Sequence, residues 1–356
     1  MLINLTDYEA KAKTLLPRMS FDYIAGGSGD EVTLRANREA FARWRIVPRM
    51  LLGIQQPDLH VSVLGTRIEL PVLLAPVGFH RLAHDHGEKA SAAAAGAAGT
   101  IFIASTGSTC RLEEVAPLAG PWWFQLYVFR DRELTRHLVQ RAEHAGAQAL
   151  VITVDTPVGG GREADERNRF ALPDGVVWAN FLDTDYAAMS TAPQGSSLTS
   201  YIAGSFEPAL RWVDLDWIAS ITSLPMILKG ILHPEDACLA VEHGARAVVV
   251  SNHGGRQLDG AVASLDALPA IAEAVGGRLE ILLDGGVRRG SDVIKAIALG
   301  ARAVLIGRPY IWGLAVDGEA GVVRVLNLLA AEISRDLILC GRASVGELDA
   351  SLVVRV

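Results

Sequence analysis

The stretch Ala245-Arg-Ala-Val-Val-Val-Ser-Asn-His-Gly-Gly-Arg-Gln-Leu-Asp259 joins two kinds of sequence. Ala245 to Val250 is apolar and largely β-branched, and it reads as a buried strand. From Ser251 the chain turns polar, with His253 and Arg256 separated by Gly254 and Gly255. The glycines let the backbone turn sharply and come close to a ligand. Histidine moves protons near neutral pH, and arginine offers a planar fork for carboxylate or phosphate. A proton acceptor beside an anion clamp, where a strand becomes a loop, points to chemistry on a small organic acid. A histidine in a glycine-rich loop also suits a plain turn, so the rest of the chain has to decide.

The same strand-then-loop rhythm recurs outward from this stretch. Short apolar runs lie at 71–76, 100–105, 122–127, 149–155, 225–229, 245–251, 279–284 and 303–307. Between them, segments 88–98, 132–145, 234–243, 265–275 and 291–299 have helical spacing. Alternation of this kind means a parallel sheet with crossover helices, and eight strands point to a closed (β/α)8 TIM barrel. The alternative is an open doubly wound sheet, but no GxGxxG follows the first strand. The reading is one domain over 1–356. A helical cap and irregular lead-in occupy 1–70, the barrel 71–340 and a short tail 341–356. One long interruption, about 156–213, is expected to be a lid over the face where the strands end.

Composition removes several function classes. Net charge is −7 and no block of Lys and Arg appears, so nucleic acid is not an expected partner. An anionic substrate must find a locally basic site in an acidic protein. Three cysteines, Cys110, Cys238 and Cys340, are widely spaced, which suits a reducing cytoplasm. No apolar run reaches the roughly 18 residues of a membrane span. No metal motif is present, and His80, His84 and His86 read as surface residues rather than ligands.

In a barrel of this class, chemistry gathers where the strands end. Those ends read Val77-Gly78, Ser105-Thr106-Gly107, Gln125 with Tyr127, and Thr153 with Asp155 and then Arg162. They continue with Lys229, then Ser251 with His253 and Arg256, then Asp284-Gly285-Gly286-Val287-Arg288, and finally Gly307-Arg308. Glycine with arginine after both of the last two strands suits a phosphate bound by backbone N–H groups. A phosphorylated cofactor across the mouth is therefore expected. Lys229 could form a Schiff base or act as a fixed charge. Asp155 could orient His253 or cap a turn.

These residues resemble the FMN-dependent L-2-hydroxy acid oxidases and dehydrogenases. The resemblance is carried by FDYIAGGSGDE at 21–31, APVGFHRLAHDHGE at 75–88, WFQLYV at 123–128 and TVDTP at 153–157. It continues through READERNRF at 162–170, LKGI at 228–231, SNHGGRQLD at 251–259, DGGVRRGSDVIKAIALGA at 284–301 and IGRPY at 306–310. It implies FMN as cofactor, and a 2-hydroxy acid and O2 as small-molecule partners. The family's habit further implies a homo-oligomer, a tetramer. His253 would be the base, backed by Asp155. Arg162, Arg256 and Tyr23 would bind the carboxylate, and Tyr127 the hydroxyl. Lys229 would stand beside the flavin, and Ser105, Gln125, Thr153 and Ser251 would hydrogen-bond its ring. Val77 and Gly78 would approach it through their backbone. Asp284, Gly285, Gly286, Arg288, Gly307 and Arg308 would hold the ribityl chain and phosphate.

Two departures bear on the substrate. Gly107 stands where members acting on glycolate carry tryptophan, and Gly159 where they carry leucine. Small residues admit larger ligands, so a bulky or aromatic acid such as mandelate or 4-hydroxymandelate is expected, with Phe79 as an aromatic wall. The alternative is that lid residues refill the space and leave a lactate-type pocket. The loop after the fourth strand lacks the apolar, basic segment of the membrane-bound members, which favours an oxidase over a dehydrogenase using another acceptor.

Overall fold

A computed structural model describes residues 2–182, 184–190 and 204–356. Among them, eight parallel strands close into a barrel: β1 (Val72–Leu74), β2 (Phe102–Ser105), β3 (Trp122–Leu126), β4 (Leu150–Thr153), β5 (Met226–Ile231), β6 (Ala247–Val250), β7 (Glu280–Leu283) and β8 (Ala303–Ile306). Each strand pairs with its sequence neighbour, and β8 pairs with β1. This is the (β/α)8 TIM barrel expected from the alternation.

Side chains alternate across each strand. One set, including Leu73, Ile103, Trp123, Val151, Ile227, Val249, Leu282 and Leu305, fills the barrel interior. The other packs against the helices. The interior cluster also takes in Val63 and Ile68 from a hairpin, Val61–Val63 and Thr66–Ile68. Leu64 N donates to Glu280 at the start of β7, so the hairpin plugs the end opposite the strand termini. Residues 1–70, expected as a helical cap and irregular lead-in, carry α1 (Leu5–Leu15), α2 (Arg18–Ala25) and α3 (Val32–Ala42). The hairpin and the strand Trp44–Ile46 were not legible as strands. Trp44–Ile46 pairs with Val353–Arg355, so the tail clasps the cap. Short strands that pair only with distant partners carry little signal in their own sequence.

The C-terminal helix runs Arg308–Cys340, with a break at Asp317 and Gly318. Of the segment expected as a lid, residues 183 and 191–203 lie outside the described residues. Its described part forms a short helix at Glu163–Arg167 and turns at Ala179–Phe181 and Ala187–Ser190. No helix among the described residues is long and apolar enough to cross a membrane.

His80 corrects the surface reading of the three histidines. It is 1% exposed, with Nδ1 beside Ser91 Oγ at 3.1 Å and Nε2 beside the Tyr310 hydroxyl at 3.1 Å. Tyr310 in turn donates to the Ala75 carbonyl at 2.8 Å, under the loop after β1. His84 is half-buried and His86 exposed.

Candidate active site

The inward positions at the strand ends form two hydrogen-bonded chains across the mouth. Ser105 Oγ donates to Gln125 Oε1 (3.0 Å), and Gln125 Nε2 donates to Thr153 Oγ1 (2.9 Å). On the other side Lys229 Nζ donates to Ser251 Oγ (3.1 Å) and pairs with Asp284 Oδ2 (3.2 Å). All six side chains are buried, and buried polar groups need partners. Asp284 Oδ1 has none among the described residues. Burial works against the Lys229 ammonium, but Asp284 and Asp155 outweigh it and raise its pKa. A lysine held charged is a poor nucleophile, so the geometry favours the fixed charge over the Schiff base.

Above this layer His253 Nδ1 lies 3.0 Å from Asp155 Oδ1. His253 has φ 59, a left-handed conformation that L residues rarely adopt. Burial pushes its pKa below the ordinary value, against the pull of Asp155. The Asp155 carboxyl is pushed up by burial, but His253 and Lys229 prevail and hold it below the usual carboxylate range. A neutral imidazole beside an ionised carboxylate carries its proton on Nδ1, which leaves Nε2 free to accept another.

Two guanidinium groups converge on Tyr23 of α2. Arg162 and Arg256 lie 5.1 and 5.0 Å from its ring centroid, while Phe170 stacks on the ring at 4.3 Å. Arg256 is fixed by the carbonyls of Tyr23 (2.6 Å) and Gly26 (3.0 Å), and Arg162 pairs with Asp165 at 3.1 Å. Burial lowers the Arg256 pKa, and the nearby charge of Arg162 lowers it further. Such a pair is relieved by an anion bound between or beside them.

A second cationic centre lies past β7 and β8. Burial and neighbouring arginines push Arg308 down to about 9 and Arg288 to about 10. Among the described residues no carboxylate pairs with either. Arg308 is spent on the carbonyls of Ile24, Ala25, Gly26 and Gly254, and Arg288 lies 4.9 Å from the Trp312 ring. Arg308 also opens the C-terminal helix, whose first N–H groups lack partners within the helix.

One cavity connects these parts. Tyr23, Val77, Gly78, Phe79, Ser105, Gly107, Tyr127, Arg162, Lys229, His253, Arg256, Asp284, Gly285, Gly286, Arg288, Gly307 and Arg308 all line it. Asp155, Gln125, Thr153 and Ser251 do not reach its wall. Asp155, Gln125 and Ser251 bond to His253, Ser105 and Lys229, which do, and Thr153 bonds to Gln125 behind them. Trp178 and Phe206 also line it, and sequence reading missed both. Each is an aromatic residue in an irregular loop, which was the one signal available.

The remaining residues of 251–259 fasten the site to the cap. Asn252 and Asn37 exchange amide hydrogen bonds at 2.8 Å, and Thr33 N donates to Asp259 Oδ1 at 2.8 Å. Gln257 donates to the carbonyls of Asp155 and Val158. A Cβ on Gly255 would lie 2.6 Å from Leu34 N, so that position has no room for one.

The space expected over Gly107 is bounded on one side by an aromatic ring. A Cβ built on that glycine would meet Trp178 Cη2 at 3.6 Å, whereas nothing described lies within 4 Å of one built on Gly159.

The family model for FMN-dependent dehydrogenase matches residues 12–355. The chain is 53% identical to an L-lactate oxidase of Nostoc sp. (strain PCC 7120 / SAG 25.82 / UTEX 2576), over 99% of this chain and 98% of that protein. It is 45% identical to human 2-hydroxyacid oxidase 1, over 99% and 96%. A crystal structure of mandelate oxidase with (S)-4-hydroxymandelic acid superposes with TM-score 0.92 at 46% identity, covering 97% of each chain. The chain belongs to the FMN-dependent dehydrogenase family. It is a flavoprotein oxidoreductase with FMN as its cofactor. The unpartnered Asp284 Oδ1 suits a ribityl hydroxyl, and the uncompensated Arg288 and Arg308 suit a phosphate.

Proposed function

We propose that this protein oxidises an L-2-hydroxy acid to the 2-oxo acid and passes the electrons to O2, giving hydrogen peroxide. The observation that carries this reading is the convergence of the His253–Asp155 pair with Arg162 and Arg256 on one cavity. The two arginines grip the substrate carboxylate, with Tyr23 between them. The Tyr127 phenol, whose pKa burial raises, stays protonated and donates to the substrate oxygen. His253 accepts a proton through Nε2, and Asp155 stabilises the imidazolium.

FMN supplies the two-electron acceptor. Asp284, Gly285, Gly286, Arg288, Gly307 and Arg308 would hold its ribityl chain and phosphate. Ser105, Gln125, Thr153 and Ser251 would supply hydrogen bonds toward its ring, directly or through the residues they bond, Val77 and Gly78 would meet it through their backbone, and Lys229 would supply a fixed positive charge. Names of relatives that are oxidases of lactate, 2-hydroxy acids and mandelate support oxygen as the acceptor.

The test is anaerobic mixing of the yellow holoprotein with L-lactate, glycolate and (S)-mandelate, followed by air. Bleaching of the flavin band by at least one acid, with one peroxide formed per turnover in air, is the expected result. A flavin that none of them bleaches would sink the reading. Bleaching without peroxide would leave a dehydrogenase with another acceptor.

A further inference from the structure

Trp178 does not belong to a barrel strand. It lies on the segment after β4, between the short helix Glu163–Arg167 and the turn Ala179–Phe181. Yet it is 4% exposed and lines the same cavity as His253 and the two arginines. Its indole stacks on Phe181, centroids 5.7 Å apart at 11°, and meets Phe79 edge-on at 5.5 Å. Phe79 in turn lies 5.8 Å from Tyr23, so an aromatic wall runs from the carboxylate clamp to Gly107.

The segment is pinned to the loop after β2. Ala179 N donates to the Ser108 carbonyl at 3.0 Å, and Leu112 N donates to Asn180 Oδ1 at 3.2 Å. Asn180 Nδ2 reaches the carbonyls of Ser105 (3.5 Å) and Thr106 (3.4 Å). Asn180 is fully buried, and Arg141 donates to its carbonyl at 2.5 Å. The backbone beside Trp178 is therefore fixed by backbone and amide bonds, while the indole itself is held by its contacts with Phe181 and Phe79, its Nε1 having no partner among the described residues. A Cβ on Gly107 would sit in ordinary van der Waals contact with the benzo edge at 3.6 Å, so a methyl group fits there, but a longer side chain extending that way would meet the indole.

We propose that Trp178 is the specificity-determining residue of this site. Reaching Gly107 from another loop, it sets the upper size of the 2-hydroxy acid's side chain, so the enzyme takes short aliphatic acids and excludes aryl ones. With the carboxylate at the arginines and the hydroxyl at His253 and Tyr127, the Phe79–Trp178–Gly107 wall faces the remaining substituent. A phenyl ring there would displace an indole that is anchored through its neighbours. This rests on the 2-hydroxy acid oxidase reading.

The experiment compares kcat/KM for L-lactate and (S)-mandelate in wild type, Trp178→Leu, Trp178→Ala, Gly107→Leu and the double variant Gly107→Leu/Trp178→Ala. The flavin spectrum certifies each holoprotein. Wild type is expected to favour lactate by at least 10-fold. The mandelate-to-lactate ratio is expected to rise stepwise through Trp178→Leu to Trp178→Ala, by 10-fold or more, mainly through the KM for mandelate. A residue that only supports the fold would lower both substrates together and leave the ratio alone.

Gly107→Leu should impair lactate turnover, and adding Trp178→Ala should restore it, because the two side chains compete for one space. Wild type preferring mandelate, an unmoved ratio in Trp178→Leu, or no rescue in the double variant would each overturn the proposal. A wild type that no 2-hydroxy acid reduces would instead overturn the underlying function.

Discussion

Midway up the barrel, the inward positions carry Leu73, Ile103, Trp123, Val151, Ile227, Val249, Leu282 and Leu305. Two residues further along the same strands they carry Ala75, Ser105, Gln125, Thr153, Lys229, Ser251, Asp284 and Gly307. A second step of two past the ends of three of these strands reaches Tyr127, Asp155 and His253. The period of two that turns one residue inward turns the next pair inward as well. Stability and chemistry are thus stacked on one scaffold. The lower ring is dry and close-packed, while the upper rings bury polar groups that satisfy one another or await a ligand. The contrast teaches that damage to the two levels should show in different measurements.

The largest effect should come from the top level. His253→Gln removes the proton acceptor but keeps a polar side chain. It should lower kcat/KM by 10³-fold or more, about 4 kcal/mol, with little change in the unfolding midpoint. Steady-state peroxide release and thermal unfolding measured on one preparation check both halves. Equal loss in both measurements would break the separation.

Trp123→Ala attacks the lower ring. A fully buried indole replaced by a methyl group should cost about 3–5 kcal/mol of stability. The fraction that stays folded should retain most of its kcat. Denaturant unfolding of the holoprotein, read beside turnover per bound flavin, distinguishes this outcome from an indirect loss of activity.

Asp155→Asn sharpens the account of the upper level. Burial lowers the His253 pKa, and Asp155 pulls it back up. The acid limb of kcat/KM in wild type should therefore lie below the ordinary histidine range. Without the carboxylate charge the limb should move to still lower pH. The plateau should fall about 100-fold, because the imidazolium loses its partner. A limb that moves upward would contradict the arrangement.

The smallest effect tests the middle layer. Ser251→Ala removes the hydrogen bonds its Oγ accepts from Lys229 Nζ and from His253 N, while Asp284 still balances the Lys229 charge. A change of about 1 kcal/mol, or roughly 5-fold in kcat, is expected. Stopped-flow flavin reduction measures it directly.

Much of this architecture could be read along the chain because it is periodic. Eight apolar runs alternating with helical segments suffice for the barrel. Inward parity then carries the polar residues at the strand ends to one mouth. Residues within 251–259 were harder to divide. His253 and Arg256 face the cavity, Asn252 and Asp259 tie the loop to α3, and Gln257 does both, lining the cavity while it bonds the loop after β4. Nothing in residue type separates these roles, since each depends on a partner roughly a hundred or more positions away.

His80 and Trp178 show what a linear reading misses. A histidine among Arg81, His84 and Asp85 looks solvated, but the C-terminal helix brings Tyr310 over it and buries it. Gly107 looks like an open side of the pocket, but a loop some seventy residues later brings an indole edge up against it. The sequence by itself determined the strand count, the cofactor family and the chemical kinds of group at the mouth, because those follow from local periodicity and short motifs. Only the tertiary structure decided which groups share a hydrogen bond, which arginines lack a counter-charge and how much space the substrate has. Those are distances between segments far apart in the chain, and only packing sets them.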